Sequence, residues 1–522
     1  MMQEDYGPDV MEGDDEDGRF FGGGISKEES EILDYMDTQE EELVPEKIDS
    51  AWLRRTALNF EKRITKNAEL RAKFENDPQK FMGSEADLDA DIKALSILSE
   101  HPELYVEFAK LGSVSSLVGL LAHENTDIAI GAMEIISELT DDDVAAEEDQ
   151  WSALVDAMVE ADLLDLLVSN FGRLDESNES DRSGVYHALS VLENLISRQA
   201  LAVKIGQDTS VLQWLLNRIQ KKESTSQNKQ YAAEILAILL QSSPVNVKKL
   251  SSLNGIDILL QLIASYRKRD PLKGSDEEEY AENLFDSITC VVDEPESKQN
   301  FVEAEGVELC LIMLKEGKMS KPRALRLLDH ALSGYAGAEV CERLVEAAGL
   351  KTVFGMFMKK QDGETTEHLL GMFSSLLRLL PANSAPRIRT LAKFVEKDYE
   401  KLDKLVKLRR DYAARVASVD REIRKEQTGL DAEEKEEKAD EWLSRRLDGG
   451  LYCLQTIDVI LAWLVAEDDG ASKRIQALLA DHDESLVTVK QTLQEQLDSM
   501  DGDSEEERMT RDMLIVLIQF LT

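Results

Sequence analysis

The chain has few of the residues that interrupt helices or cross-link a fold. Its 522 residues include 28 Gly, 10 Pro and 4 Cys, and only 6% are aromatic although 43% are hydrophobic. This scarcity of helix breakers, with an ample supply of Leu, Ile and Ala, favours helices over strands and long loops. The cysteines lie 20, 31 and 112 residues apart, which fits neither a disulfide scaffold nor a zinc knuckle, so we expect free buried thiols.

Long apolar runs are also missing. No run approaches the roughly 20 residues that a membrane-spanning helix needs. The N-terminus lacks the basic start and apolar segment that mark a signal peptide. These absences predict a soluble intracellular protein without a membrane partner.

Positive charge is scarce as well, with 60 Lys and Arg against 104 Asp and Glu and a formal net charge of −44. Such a surface repels phosphate backbones, so direct binding of nucleic acid is not expected. The imbalance is strongest in residues 1–46, where 17 acidic residues accompany only Arg19 and Lys27. Because little there can offset the entropy of folding, we predict a disordered acidic tail. It would be a solvated spacer, a partner-binding segment or an intramolecular competitor for a basic ligand.

A repeated pattern of apolar helices fills the middle of the chain. Each copy opens with a small or turn-forming residue, continues as an apolar helix, crosses a polar loop and ends in a second apolar helix. Six copies start at residues 112, 161, 210, 255, 306 and 349. The intervals of 43 to 51 residues are close to the period of armadillo and HEAT repeats, about 40–47, and the small opening residues favour the armadillo type.

The predicted fold is therefore all-α, an armadillo/HEAT-type right-handed α-solenoid, because one such helix pair cannot bury its own apolar face. We predict an N-terminal helical cap over residues 47–111, about six armadillo-like repeats over 112–385 and a C-terminal helical domain over 386–522. In the last part, an apolar seam from Ile388 to Ile423 predicts one long helix of about 35 to 40 residues.

Residues that could carry catalysis or hold a metal are few and scattered. The six histidines form no ligand pair at helical spacing, and no glycine-rich phosphate-binding motif is present. We interpret Asp329 with His330 as a histidine that is satisfied within a helix. We interpret Asp141, Asp142 and Asp143 as a loop at a helix end, since no calcium-loop pattern accompanies them. The sequence therefore predicts no enzymatic activity, no cofactor and no bound metal.

Acidic and amide side chains recur at equivalent positions of the second apolar helices, which we expect to line the groove of the solenoid. The candidate peptide-binding residues are Glu134, Glu138, Asn194, Glu234 and Asn283. Carboxylates would pair with the Lys and Arg residues of an extended basic peptide, and amides would bind its backbone. The alternative is an ordinary solvated helix face in a protein that is acidic everywhere.

The pattern by which importin-alpha repeats hold a nuclear-localisation peptide, a Trp followed four residues later by Asn, is missing. Val155 follows Trp151 at this spacing, and Arg218 follows Trp214. A classical import receptor is therefore disfavoured. A transport adaptor of the importin type for basic peptides remains the alternative to a scaffold.

Several stretches resemble the beta-catenin-like family of nuclear armadillo proteins. The most specific is LNFEKRITKNAELRAKFENDPQKFMGSEADL at 58–88, because armadillo periodicity does not explain it. Further stretches, in order, include GLLAHENTDI at 119–128, AEILAILLQ at 233–241, ALRLLDHAL at 324–332 and RRLDGGLYCLQ at 445–455.

This resemblance implies a non-enzymatic scaffold of pre-mRNA splicing that is located in the nucleus and associated with the spliceosome through the NineTeen Complex. It also implies that a Myb-like subunit of that complex supplies a basic, nuclear-localisation-type segment to the groove, and that the chain can form homo-oligomers. Members of the family have a basic N-terminal tail, whereas this tail is acidic.

Overall fold

The computed structural model describes residues 47–500 and 504–521, and this part of the chain is helical without any strand. The helices stack in chain order, which confirms the predicted all-α solenoid. The predicted acidic tail, residues 1–46, lies outside the described residues.

The described chain begins with two packed helices, α1 (Ser50–Lys73) and α2 (Met82–Ala94). Asp49 caps α1, since its carboxylate accepts two backbone N–H groups of the first turn at 3.0 and 3.1 Å. Buried Asn67 of α1 donates to Ser84 of α2 at 2.9 Å. The pair covers the apolar side of the first repeat.

Six successive repeats of three helices follow. In chain order they are α3 (Tyr105–Lys110), α4 (Ser113–Gly119) and α5 (Thr126–Thr140); α6 (Glu148–Glu160), α7 (Leu163–Arg173) and α8 (Glu179–Ile196); α9 (Gln199–Gln207), α10 (Thr209–Gln220) and α11 (Gln227–Ser242); α12 (Pro244–Ser252), α13 (Gly255–Ile263) and α14 (Asp276–Asp293); α15 (Pro295–Glu303), α16 (Gly306–Glu316) and α17 (Ser320–Leu332); α18 (Ala338–Glu346), α19 (Leu350–Phe357) and α20 (Gly363–Leu379).

The predicted starts of the six copies fall within two residues of the second helix of each repeat. Each copy therefore contains the second and third helices, and the short first helix precedes it. The first repeat begins at Tyr105, inside the range predicted for the N-terminal cap. Short 3-10 helices lie at Pro78–Lys80, Leu95–Glu100, Pro102–Leu104, Leu120–Ala122, Ala264–Arg267 and Tyr335–Gly337.

The turn between the first and second helices explains the small residues that open the copies. In the fourth repeat, the residue in the left-handed conformation is Asn254, with a φ of 59°, and not the following Gly255. A Cβ atom on Gly255 would lie 2.7 Å from Cγ of Leu250 and 2.9 Å from its backbone oxygen. The glycine is therefore required by the close approach of the first helix and not by a positive φ.

The third helices pack side by side and form one continuous layer, while the first and second helices form the other. Buried asparagines join successive repeats through backbone carbonyl groups. Asn170 donates to the oxygen of Leu121 at 2.9 Å, and Asn246 donates to that of Ala202 at 3.1 Å. These bonds satisfy polar groups inside an otherwise apolar interface.

The C-terminal helices extend the stack. They are α21 (Ala385–Val395), α22 (Glu400–Glu426), α23 (Ala432–Glu437), α24 (Ala439–Asp448), α25 (Leu451–Glu467), α26 (Asp469–Ala480), α27 (Leu486–Asp498) and α28 (Glu505–Phe520). Helix α25 packs beside α20 and continues the layer of third helices. Buried Arg409 of α22 donates to the fully buried carboxylate of Asp458 in α25 at 2.6 Å.

The prediction of one helix of about 35 to 40 residues after residue 386 is wrong. The seam is divided between α21 and α22, and the longer of the two has 27 residues. Lys397, Asp398 and Tyr399 all have φ values between 53° and 63°, which no continuous right-handed helix can accommodate.

Within the described residues, no single helix is long and apolar enough to cross a membrane, although two bent helix pairs meet the criteria of length and composition together. All four cysteines are free thiols, as predicted, and Cys290 is half-buried while the other three are buried.

Candidate functional site

The third helices expose one row of side chains across the repeats, which we call the third-helix face. In stacked helical repeats, such a layer forms the extended surface that binds partners. Its half-exposed and exposed members include Glu134 and Glu138 on α5, Tyr186 and Glu193 on α8, Gln230 and Glu234 on α11, and Glu279 and Asn283 on α14. Four of the five predicted groove residues are in this row.

Glu134 and Glu138 are half-buried and lie toward the N-terminal helices. The carboxylate of Glu138 accepts a hydrogen bond from Ser96 at 2.5 Å. The pKa of Lys93 is raised mainly by its hydrogen bond to Asp89 at 2.7 Å, and the charges of Asp89 and Glu134 add to this effect. This end of the third-helix face is therefore partly neutralised by a neighbouring cation.

Asn194 does not belong to the open face, which corrects the sequence-based expectation. Its side chain is only 9% exposed, and its amide donates to the backbone oxygen of Ser137 at 3.0 Å and to the hydroxyl of Thr140 at 3.1 Å. Both acceptors belong to the preceding third helix. The side chain therefore holds two repeats together and is not free to bind a peptide.

Glu193 occupies the position on the face that the sequence analysis gave to Asn194. It accepts a hydrogen bond from the hydroxyl group of Tyr231, on the next third helix. Helical spacing could have identified Glu193 from the sequence, because it follows Tyr186 by seven residues and therefore lies on the same side of α8.

Glu234 lies between two other carboxylates at the centre of the face. Burial raises its pKa; the hydrogen bond from Gln230, at 2.8 Å, opposes that effect, and the charges of Glu193 and Glu279 reinforce it. Among the described residues, none of these three carboxylates has a lysine or arginine within 4.0 Å. We call Glu193, Glu234 and Glu279 the central acidic patch.

Asn283 lies one turn beyond Glu279 on α14 and is half-exposed. Its amide carries two N–H donors and one carbonyl acceptor, one helical turn from the patch residue Glu279. The structure thus places Glu234 and Asn283 on adjacent third helices, and it places Glu134 and Glu138 nearer the N-terminal end.

The later repeats also carry carboxylates on the third-helix face, but basic side chains of the following repeat neutralise them. Arg326 contacts Asp286 at 2.9 Å, and Arg323 pairs with Glu282. Two histidines also contact carboxylates of the preceding third helix, His330 at 2.9 Å from Asp293 and His368 at 2.9 Å from Asp329.

These contacts also show which partners Asp329 and His330, neighbours in the sequence, have in the structure. Asp329 contacts the histidine of the next repeat instead of its neighbour in sequence. A cavity of about 580 Å³ follows at the end of the face, where Arg378 lies 3.9 Å from Glu506 of α28. The surroundings of the carboxylates therefore change along the face, from no basic partner in the middle to arginine or histidine partners near the C-terminal helices.

The run Asp141, Asp142 and Asp143 follows α5 directly, as predicted for a loop at a helix end. Oxygen atoms of the three carboxylates lie within 4.8 Å of one another. Asp141 also accepts the backbone N–H of Asp143 at 2.9 Å, which is the geometry of an Asx turn.

The tryptophans of the repeats lie away from the third-helix face. Trp214 is on α10, where it stacks on Phe171 of the preceding second helix at 3.9 Å between ring centroids. Trp151 is on α6 and donates to the backbone oxygen of Thr140 at 3.1 Å. Neither can form the Trp and Asn ladder of an importin-alpha groove.

The fold and this surface define an armadillo-type α-solenoid whose third-helix face carries an uncompensated acidic centre. Residues 30–494 match the family model described as "Catenin-beta-like, Arm-motif containing nuclear", and the chain belongs to this family. Neither that description nor the names of the relatives denotes an enzyme.

Among its relatives is the beta-catenin-like protein 1 homolog of Schizosaccharomyces pombe, which is 40% identical over 94% of this chain and 87% of its own length. The Homo sapiens beta-catenin-like protein 1 is 36% identical over 88% of this chain and 84% of its own. The crystal structure of an engineered protein, with 17% identity and a TM-score of 0.50, covers 88% of this chain and shares its fold.

Proposed function

We propose that this chain is a non-enzymatic interaction scaffold of pre-mRNA splicing in the nucleus, and that its third-helix face binds basic linear segments of splicing factors. The family description supports a nuclear location. The resemblance in sequence supports a role in splicing, and it favours the Myb-like subunit of the NineTeen Complex as the partner.

The observation that carries the proposal is the central acidic patch. Glu234 has a raised pKa because it is partly buried beside two further carboxylates, so its ionised form is destabilised in the free protein. A bound lysine or arginine side chain would relieve this repulsion. Binding of a basic segment is therefore favoured at this patch more than at carboxylates that already have a partner.

The same charge disfavours nucleic acid as the ligand of this face. A phosphate backbone would meet Glu193, Glu234 and Glu279 without a described cation between them. We therefore assign the link to RNA processing to protein partners, and we expect no direct contact of this face with RNA.

The test is a titration of a labelled Lys- and Arg-rich peptide by fluorescence anisotropy at about 0.1 M salt. The variant E193Q/E234Q/E279Q removes three charges, while the glutamines at 193 and 234 can still accept the hydrogen bonds from Tyr231 and Gln230. We expect an affinity loss of about 8- to 125-fold, since each of the three removed pairs changes binding about two- to fivefold and the factors multiply.

The matched control is D156N/D165N/D257N, which removes three exposed carboxylates from first and second helices. We expect it to change the affinity by less than about twofold, because screening weakens charges beyond about 10 Å. Equal losses for the two variants would mean that net charge alone attracts the peptide, and the assignment to the third-helix face would be wrong.

A further inference from the structure

Helix α1 is basic in a protein that is otherwise acidic. It contains seven Lys and Arg residues and two Glu residues, whereas the whole chain has 60 basic and 104 acidic residues. Several of its arginines pair with carboxylates outside α1. Arg54 contacts Glu107 at 2.7 Å, Arg63 contacts Asp87 at 2.5 Å, and Arg71 pairs with Glu85 and Glu124.

The other four cations, Arg55, Lys62, Lys66 and Lys73, lie on the outward face of α1. Their spacings of seven, four and seven residues place them in one line along the helix. All four are exposed. Lys66 has only a long contact of 3.7 Å to Asp87, and within the described residues Lys62 and Lys73 have no carboxylate partner.

An apolar side chain interrupts this basic line. Leu58 is 55% exposed and lies on the same side of α1 as Lys62. We call Arg55, Leu58, Lys62, Lys66 and Lys73 the outward α1 face. It combines cations with one apolar position, the exposed carboxylate of Glu69 lies on the same side between Lys66 and Lys73, and α1 packs mainly on α2 through its opposite side.

The chain itself contains a segment with the complementary pattern. Residues 28–42 contain eight carboxylates and no Lys or Arg, and Ile32, Leu33, Tyr35 and Met36 lie among them. Seven residues separate this segment from the start of α1 at Ser50. Extended, it would span about 50 Å, enough to cover α1, which is about 36 Å long.

We propose that residues 28–42 bind back along the outward α1 face of the same chain, with carboxylates against the lysines and an apolar side chain against Leu58. The short tether favours this occupant, because it gives the segment an effective concentration in the millimolar range. The central acidic patch repels the same segment, so the acidic tail and a basic partner have different binding sites on the solenoid.

Carbodiimide cross-linking of the full chain tests this contact, because it joins a carboxylate to a lysine amine only at direct contact. Isotopically heavy and light copies are mixed so that cross-links within one chain are distinguished from those between chains. We expect residues 28–42 to cross-link within the chain to Lys62, Lys66 and Lys73, about fivefold or more above the exposed Lys222, Lys359 and Lys360.

The cross-links to α1 are expected to decrease when salt is raised from about 0.1 M to about 1 M, since the screening length falls from about 10 Å to about 3 Å. Cross-links that are equal at α1 and at the control lysines would overturn the proposal. So would cross-links that occur only between copies.

A second measurement follows cleavage within residues 28–42 by a glutamate-specific protease. The variant K62E/K66E/K73E changes three lysines on the solvent side of α1. We expect its cleavage to be about tenfold faster, because it loses three favourable ion pairs, each of which changes the binding of the segment about twofold. The control K222E/K359E/K360E should leave the rate unchanged. Unchanged cleavage in the α1 variant, or RNA that copurifies with the wild type and is lost from that variant, would assign the outward α1 face to another partner.

Discussion

The neutralised carboxylates of the fourth repeat allow a gain of binding to be predicted. In R323Q/R326Q, Glu282 and Asp286 lose their cationic partners, and both lie on α14 within two turns of Glu279. The acidic patch would then grow from three uncompensated carboxylates to five. We expect the variant to bind a Lys- and Arg-rich peptide more tightly than the wild type.

The magnitude follows from the exposure of these pairs. The side chains of Arg326 and Asp286 are 41% and 32% exposed and 2.9 Å apart, so their pair contributes about 0.2–1 kcal/mol to stability. Each freed carboxylate can pair with a peptide cation at a similar strength. Two of them should tighten binding about two- to 30-fold at about 0.1 M salt, and the advantage should shrink as salt increases.

The assay is the same anisotropy titration, combined with thermal unfolding to verify the fold. R343Q/R474Q is the control, because it also removes two paired arginines but on α18 and α26, away from the third-helix face. An unchanged or weaker affinity of R323Q/R326Q, with unfolding close to that of the wild type, would refute the electrostatic account of the face.

Three further predictions concern residues on and between the repeats. Because the pKa of Glu234 is raised and its ionised form binds cations, peptide affinity should increase as pH rises through that pKa, and E234Q should have a flatter pH profile by anisotropy. In chemical denaturation, Gly255→Ala should lose about 1–3 kcal/mol because its Cβ would meet Leu250, whereas Gly172→Ala, with open space around it, should be neutral or slightly stabilising. Asn194→Ala should lose about 1–3 kcal/mol of stability with unchanged peptide affinity, since its amide bonds lie between repeats; a selective loss of affinity would return it to the face.

The repeat architecture could be predicted from the sequence because apolar periodicity and small residues at the turns recur at a nearly constant interval. The break between α21 and α22 could not, since residues 396–399 contain neither Gly nor Pro to mark it. The spacing of apolar residues along a helix is also easier to predict than the rotation of the helix about its own axis. The sequence therefore predicts Asn194 on the face, whereas the structure has Glu193 there. A rotation by one residue moves a side chain by 100° around the axis.

The distribution of charge on the face required the structure for a different reason. The partners of Asp286 and Asp293 are Arg326 and His330, which are 40 and 37 residues away in sequence, on the next third helix. A count of acidic residues in each repeat cannot show which carboxylates have such a partner. The distinction between Glu234 and Asp286 therefore appears only when the helices are stacked.

The most direct test of the central claim is cross-linking mass spectrometry on complexes isolated from nuclear extract, because it reports both the partner and the face that it contacts. We predict cross-links between Lys-rich segments of splicing factors and the carboxylates of Glu193, Glu234 and Glu279. Cross-links from splicing factors confined to the first and second helices, or recovery of transport receptors in place of splicing subunits, would contradict the account.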